Sequence, residues 1–600
     1  MDRRIVISIY IVIALFCAFL VRLWDLQIIK GEKYRNLAES NRLRVVETPA
    51  PRGIIYDRNN TPLVRNVQSF DISFIREDLP KDRETLAVLG RLIGLEPEDV
   101  MERIKMGGQD SLEPVKLKQN ASFKDVAMVE ARKIDFPGLH VDVTVSREYI
   151  YGQLASHVIG YLGRLTLAQA NAPEYDDVPR ESFVGQWGTE KNYDTLLRGT
   201  AAKKIIEVDA VGRVIKDMGI NDPVKGRDIR LTIDKNVQQE AEKSLLGSTG
   251  AVVVLDANTG EVITLASAPA FDPNLFARGI NYRDWQTLLN DPRKPLLNRA
   301  IQSQYPPGST FKIVSAIAAL EEGVITDSTS FNCSGSINFG RRFRCWKQGG
   351  HGSNIDLYRG IVGSCDVYFY EIGKRISIDK LARYAFDLGL GKPSGIELEG
   401  ERSGTVPTTE WKLNKMKEKW YKGETLNAII GQGYVTATPI QMARLVSAVV
   451  NGGKLYRPYI LKDFFFENKT EKRLNLRPEN ISLLKGALAG VVADGGGTGG
   501  RARSNLVSIG GKTGTSQVIA MPEKRSANPE EYRDHAWFVA FAPVENPEIA
   551  VAVFVEHGGH GGSAAAPIAK NVIEKYFNCK WGKAECEDEE PEAQTPDAGT

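Results

Sequence analysis

One helical run in this chain has no face fit for water. Ile313, Val314, Ala316, Ile317, Ala318, Ala319 and Leu320 follow directly on Lys312 and end at Gly323. A helix that is apolar on every side has to lie at the centre of a large domain, packed all round by other elements. Its start is equally restricted: Pro306, Pro307 and Gly308 cannot continue it backwards, so it opens at Ser309. Gly323 is a natural stop. Residues three apart on a helix are neighbours, which puts Lys312 on the face of Ser309. Burial disfavours the charged form of a lysine, and a neutral amine can take the serine proton. The free N–H groups of the first turn favour negative charge on an attacked carbonyl oxygen. The pattern points to nucleophilic acyl transfer. A plain surface helix is the bland alternative, because Ser-x-x-Lys arises by chance about once per few hundred residues.

Two later motifs decide between these readings. Ser364-Cys365-Asp366 and then Lys512-Thr513-Gly514-Thr515 follow in order, and a given Lys-Thr-Gly triplet is expected only about once in several thousand residues. Ser309, Lys312, Ser364, Asp366 and Lys512 are therefore the candidate catalytic residues. Thr513, Gly514 and Thr515 are the candidate substrate contacts. Gly495 to Gly500 carries no lysine where a phosphate-binding loop needs one and reads as a flexible connector.

The apolar runs Ala251–Leu255 and Glu261–Ala266, joined by Asp256-Ala257-Asn258-Thr259-Gly260, predict a β-hairpin. Three further strands are expected over Asn505–Val518, His535–Ala542 and Ile549–Val555, then a helix over Ala564–Phe577. Short connections favour antiparallel neighbours, which gives a sheet of about five strands with a long helical insertion between the second and third. Ser309 and Ser364 fall in the insertion and Lys512 on a strand, so the cleft should run between helices and sheet. The Lys512 strand also offers an edge for an extended peptide.

The chain has 77 Lys and Arg against 75 Asp and Glu over 600 residues, a balance that gives no support to nucleic-acid binding. Arg3 and Arg4 precede an uncharged apolar run, Ile5 to Val21, which meets Arg22 and Trp24 without small residues suited to cleavage. An uncleaved anchor is favoured over a signal peptide, with the N-terminus in the cytoplasm and the rest outside. The expected division is 1–4 cytoplasmic, 5–24 transmembrane, 25–226 stalk and pedestal of mixed α/β structure, 227–577 catalytic and 578–600 an acidic disordered tail. Pro51 to Arg58 reads as a structural knot. Cys579 and Cys586 could pair.

With these residues placed, the chain resembles the class B penicillin-binding proteins over nearly its whole length, and within them the cell-wall elongation branch. The resemblance rests on the three motifs, on Arg52-Gly53 with Asp57-Arg58, on Gly185-Gln186-Trp187-Gly188-Thr189-Glu190, on Ile430-Gly431-Gln432-Gly433 and on His535-Ala536-Trp537-Phe538. Asp366 stands where most of the class carries Asn. The resemblance implies an α/β (α+β) transpeptidase domain of the serine β-lactamase type above a pedestal. It also implies a serine D,D-transpeptidase of the inner membrane. Ser309 would attack stem peptides ending D-Ala-D-Ala, Lys312 would be the base and Ser364 the proton relay. Lys512 with Thr513 and Thr515 would take the substrate carboxylate, and the N–H groups of Ser309 and Thr515 would form the oxyanion hole. β-Lactams would acylate the same serine. A SEDS-type glycosyltransferase and other elongation-complex membrane proteins are the implied partners. The same chemistry with water as acceptor would make a D,D-carboxypeptidase or β-lactamase, and acylation without turnover a β-lactam sensor.

Cys333, Cys345, His351 and Cys365 fall within one Gly-rich stretch and can supply the three thiolates and one imidazole of a closed tetrahedral zinc site. One disulfide with a free thiol, or buried thiols alone, are the alternatives. The resemblance implies a metal here. It would be structural, pinning the loop that carries Ser364 and Asp366. No organic cofactor is expected.

Overall fold

The computed structural model describes the chain except for residues 1–2, 36–42, 49, 76–77, 81, 107–113, 177, 179–181, 209–213, 221, 278, 463–469, 518–532 and 587–600. Its C-terminal part is built on a five-stranded antiparallel sheet in the order Val262–Ala268, Gly250–Asp256, Ile549–Val555, His535–Ala542, Gly510–Ser516. Gly250 lies opposite Val555 and Asp256 opposite Ile549, so the sheet closes only when both ends of the domain have been made. Every residue of His535–Ala542 and Ile549–Val555 is buried. That is why these strands are continuous apolar runs without polar alternation: helices cover both faces. Lys235–Ser244 and Gly561–Lys580 pack on one face through Val237, Ala241, Val572 and Ile573. Pro439–Val450, buried along its whole length, packs on the other.

The hairpin loop is tied by Asp256 Oδ1, which accepts from the N–H groups of Asn258 and Thr259 at 2.8 and 2.9 Å. The central helix is Lys312–Glu321, with every residue from Lys312 to Leu320 buried. Gly323, at φ +66°, ends it in the left-handed region. Burying Ile317 or Leu320 here stabilises the fold by about 1.5–3 kcal/mol each.

Two expected elements have different ends. The strand expected from Asn505 begins at Gly510, because the Ser504 and Ser508 hydroxyls take the N–H groups of Leu506 and Val544 and replace ladder bonds with local ones. The helix expected from Ala564 begins at Gly561 and runs to Lys580. Its first two residues must be glycine despite poor helix propensity, since a Cβ at Gly561 would lie 2.1 Å from the Trp537 carbonyl oxygen and one at Gly562 2.4 Å from that of Thr498. Beyond this helix a turn at Ala584–Cys586 is joined back by a Cys579–Cys586 disulfide. The rest of the acidic tail lies outside the described residues.

The N-terminal part is a second mixed α/β unit. Its strand Pro62–Phe74 pairs with Leu139–Tyr149 from Val64↔Tyr149 to Phe74↔Leu139. Helices Arg83–Ile93 and Phe123–Ala131 close a small core around Ile72, Phe74, Leu89 and Val129. The Arg52 segment is a structural knot, as expected. Arg52 bridges Glu190 at 2.8 Å and Asp194 at 2.9 Å, and Arg147 reaches Glu190 at 2.7 Å. A Cβ on Gly53 would sit 1.9 Å from the Arg227 carbonyl oxygen. At the N-terminus, helix Arg3–Trp24 buries none of its side chains. With its continuation to Ile29 it is the one helix, among the described residues, long and apolar enough to cross a membrane, at a mean hydropathy of 2.7.

Candidate active site

Ser309 sits on a tight 3-10 turn, Gly308–Phe311, and the regular helix starts only at Lys312. The expected α-helix from Ser309 is thus one turn short, and Gly308 supplies the reason. It has φ +55°, and a Cβ there would come within 2.4 Å of the Thr515 carbonyl oxygen. The serine turn is wedged against the Gly510–Ser516 strand. At three residues per turn, i and i+3 eclipse, so Ser309 and Lys312 keep a common face. Ser309 is partly exposed while Lys312 is fully buried. Ile430-Gly431-Gln432-Gly433 acts as the clamp: Gly308 N–H donates to the Gly431 carbonyl and Gln432 Nε2 to that of Thr515, both at 3.0 Å.

Lys312 Nζ does not rest on Ser309. It donates to Asp366 Oδ1 at 2.7 Å, to the Ser364 carbonyl at 2.8 Å and to Ser364 Oγ at 3.2 Å. Asp366 Oδ2 accepts the Trp346 N–H at 2.9 Å. Both carboxylate oxygens accept, which is the bonding of an ionised side chain. Ser364 takes φ +53° between the helices Leu357–Val362 and Asp366–Gly373. This costs a non-glycine residue about 1–2 kcal/mol and aims its carbonyl and hydroxyl at one ammonium.

Lys512 is buried from the strand side. Its Nζ donates to the Thr513 carbonyl at 3.1 Å and, among the described residues, forms no ion pair. Burial, and next the neighbouring Lys312 cation, push its pKa well below the ordinary 10.5, with Asp366 opposing. Lys512 thus joins the amines that burial favours in the neutral form.

Thr513 Oγ1 meets Thr498 Oγ1 at 2.7 Å. The Gly495–Gly500 stretch is therefore a built turn against the Lys-Thr-Gly strand, and the flexible connector expected there is corrected. Gly497 is needed because a Cβ there would lie 2.3 Å from the Val491 carbonyl oxygen. Thr498 was not singled out from the sequence, and neither was Trp346. Nothing local marks either residue, since both act through tertiary contacts. Gly514 lacks a side chain for a plain reason: a Cβ would lie 2.7 Å from the Pro307 carbonyl oxygen. Its strand is the sheet edge, as the expected peptide-binding strand requires.

The donor atoms of Cys333, Cys345, His351 and Cys365 all lie within 4.8 Å of one another. His351 Nδ1 is 3.6 Å from Cys333 Sγ and 3.5 Å from Cys345 Sγ. Tetrahedral zinc with Zn–S about 2.3 Å and Zn–N about 2.0–2.1 Å places N and S roughly 3.6 Å apart. The other ring nitrogen, Nε2, lies 3.0 Å from the Gly363 carbonyl, the outer contact that leaves Nδ1 free for a metal. None of the three thiols is in a disulfide, so the donor set fits a closed metal site. The set is wired to the chemistry through Trp346, next to Cys345. Besides its backbone bond to Asp366, its indole Nε1 donates to the Ser364 carbonyl at 3.1 Å.

A serine on a helix-opening turn wedged against a sheet-edge strand, with a buried lysine on each and a left-handed serine bonded to the first, defines a serine acyl-transfer enzyme of the penicillin-binding class. Comparison with known proteins agrees. Residues 250–574 match the penicillin binding protein transpeptidase domain and 47–231 the penicillin-binding protein dimerisation domain. The chain is 35% identical over 590 residues to the peptidoglycan D,D-transpeptidase MrdA of Acinetobacter baumannii, covering 96% of this chain and 87% of that one. It is 34% identical to the MrdA of Escherichia coli, covering 95% and 93%. In a solved complex of penicillin-binding protein PBP2 with MreC from Helicobacter pylori, the match has a TM-score of 0.78 at 30% identity, over 90% of this chain and 99% of that one. The chain belongs to the penicillin-binding protein family, and the relatives it matches are of the PBP2 type.

Proposed function

We propose that this protein is the peptidoglycan D,D-transpeptidase of cell-wall elongation, cross-linking stem peptides that end in D-Ala-D-Ala and inhibited by β-lactams. The observation that supports the reading is the meeting of Lys312, bonded to Asp366 and Ser364, with Lys512 on the edge strand against which the Ser309 turn is wedged through Gly308.

Ser309 Oγ attacks the carbonyl of the penultimate D-Ala, the C–N bond to the terminal D-Ala breaks, and the Oγ proton ends on the departing amine. In the second half an acceptor amine forms the new C–N bond, the ester to Ser309 breaks, and the amine proton returns to Oγ. Lys312 is the base and Ser364 the relay. Burial and the neighbouring Lys312 charge hold the Lys512 amine well below its ordinary value. The N–H groups of Ser309 and Thr515 receive the oxyanion, each worth about 3 kcal/mol. The terminal carboxylate sits against Lys512, Thr513 and Thr515.

Zinc is assigned to Cys333, Cys345, His351 and Cys365, where it would hold the loop bearing Trp346 and Cys365. The helix from Arg3 is assigned as a single inner-membrane anchor with the N-terminus inside, carrying the pedestal and the catalytic domain outside. A SEDS-type glycosyltransferase and an MreC-like protein are the assigned partners, in line with relatives solved with MreC and in a peptidoglycan synthase complex. Fluorescent penicillin should label the full chain and fail, by about 10³-fold or more, on Ser309→Ala and Lys312→Ala. Incubation with lipid-linked glycan strands should then yield cross-linked peptide dimers. Labelling that survives Ser309→Ala overturns the reading.

A further inference from the structure

Between two elements that lead into the active site lies a groove of about 600 Å³. One side is the hairpin of Ser336–Phe339 and Arg341–Arg344, the other is helix Lys422–Ala428. Phe339, Arg341 and Phe343 line it from the hairpin, and Tyr421, Lys422 and Asn427 from the helix. Both walls are rooted in the active site. Phe343 packs its ring 5.5 Å from that of Tyr370 on the helix that starts at Asp366, and the hairpin leads through Cys345 to Trp346. Asn427 lies beside the clamp: its carbonyl accepts the Gln432 N–H at 3.0 Å, and Gln432 holds Thr515.

The charge of the groove is unbalanced. The Arg341 guanidinium lies 4.7 Å over the Phe343 ring and, among the described residues, bonds the neutral Asn427 amide alone, at 3.2 Å. Among the described residues, neither Arg341 nor Lys422 pairs with a carboxylate. The one acid in the lining, Glu424, is already taken by the buried Lys412 and by the Tyr421 N–H. Arg342 and Arg344 project from the other face of the hairpin by the period of two and add only to the local field. Two unpaired cations between aromatic walls suit a peptide bearing free carboxylates, with Arg offering a planar fork.

We propose that this groove seats the amine-donating peptide, a segment with free carboxylates, for its attack on the acyl-Ser309 ester. The inference rests on the transpeptidase reading and deepens it. The terminal D-Ala carboxylate of the first peptide is accounted for on the Lys512 strand, so the groove serves the second peptide. A chain lying there is held by the two elements that carry Asp366 and the Gln432 clamp, next to the acyl-Ser309 turn.

The test uses the full-length protein with a D-Ala-D-Ala-ending donor peptide and two acceptor peptides, one with free carboxylates and one with those groups as carboxamides. The measured quantity is the ratio of transfer to hydrolysis, with fluorescent-penicillin acylation followed in parallel. The native protein should favour the carboxylate acceptor by about tenfold, less at high salt. Arg341→Glu and Lys422→Glu should erase the preference, and Arg341→Lys should restore part of it. Equal ratios for both acceptors in the native protein, or a preference that survives both reversals while penicillin still acylates Ser309, would overturn the inference. Failure of the native protein to acylate at all would instead overturn the transpeptidase reading beneath it.

Discussion

Lys312 and Asp366 act on Lys512 in opposite senses. Burial and the Lys312 charge push the Lys512 amine down and Asp366, 2.7 Å from Lys312, opposes them. Penicillin acylation should therefore change with pH where the Lys512 amine gives up its proton, well below the ordinary lysine range. Lys512→Gln removes that titrating amine and should flatten the change. Asp366→Asn keeps the shape, removes the opposing anion, and should move the change to lower pH. Stopped-flow acylation across pH reads both, and a profile unaltered in both variants would refute the account. Asp366→Ala is a harsher change. It leaves the buried ammonium without a counter-ion and should cost about 3–5 kcal/mol, seen as a lowered midpoint in denaturant.

At the scale of elements, the loop from Cys333 to Cys365 is the one whose removal of a ligand should be felt at a distance. On the zinc assignment proposed above, Cys345→Ser, or chelation, should release one zinc per chain by elemental analysis and slow penicillin acylation by about tenfold or more, because Trp346 would no longer be held against Asp366 and Ser364. Unchanged acylation by a zinc-free protein would break that link. The same loop marks where the sequence could be read and where it could not. His535–Ala542, Ile549–Val555 and the helix after Lys312 were legible because burial on all sides writes itself as an unbroken apolar run. The ends of the Gly510 strand and the Gly561 helix were not, since serine hydroxyls and steric need for glycine override local propensity there. The three motifs gave the site its residues, yet the ion pair of Lys312, the contact of Thr498 with Thr513 and the Trp346 bridge arise only when segments distant in sequence meet.

At the scale of the molecule, pedestal and catalytic domain are joined by more than a linker. Ile229–Arg230 adds a parallel strand beside Ile55–Tyr56, Arg58 bridges Glu261 at 3.0 Å, and the Ala155 N–H donates to Glu242 Oε1 at 2.8 Å. The Arg52, Arg147, Glu190 and Asp194 network stiffens the pedestal side. Losing one member, as in Arg52→Ala, strands buried charge and should lower thermal stability by about 3–5 kcal/mol while leaving penicillin labelling of Ser309 intact. The Glu242 contact is also sensitive to pH. Burial raises its carboxyl from 4.5 to about 7, only partly offset by the bonds from Gln238 and Ala155. A carboxyl raised in the folded state binds its proton more tightly there than in the unfolded chain, so its contribution is complete below pH 4.5 and is lost as pH rises through about 7. The side chain keeps some contact with water, which reduces the full linkage to about 2 kcal/mol. Thermal unfolding at pH 5 and pH 8 should therefore show the native protein losing that much at the higher pH. Glu242→Gln, which cannot ionise yet can still accept from Ala155, should lose that component. If native and variant curves shift equally between the two pH values, this carboxyl is not what makes the junction pH-sensitive.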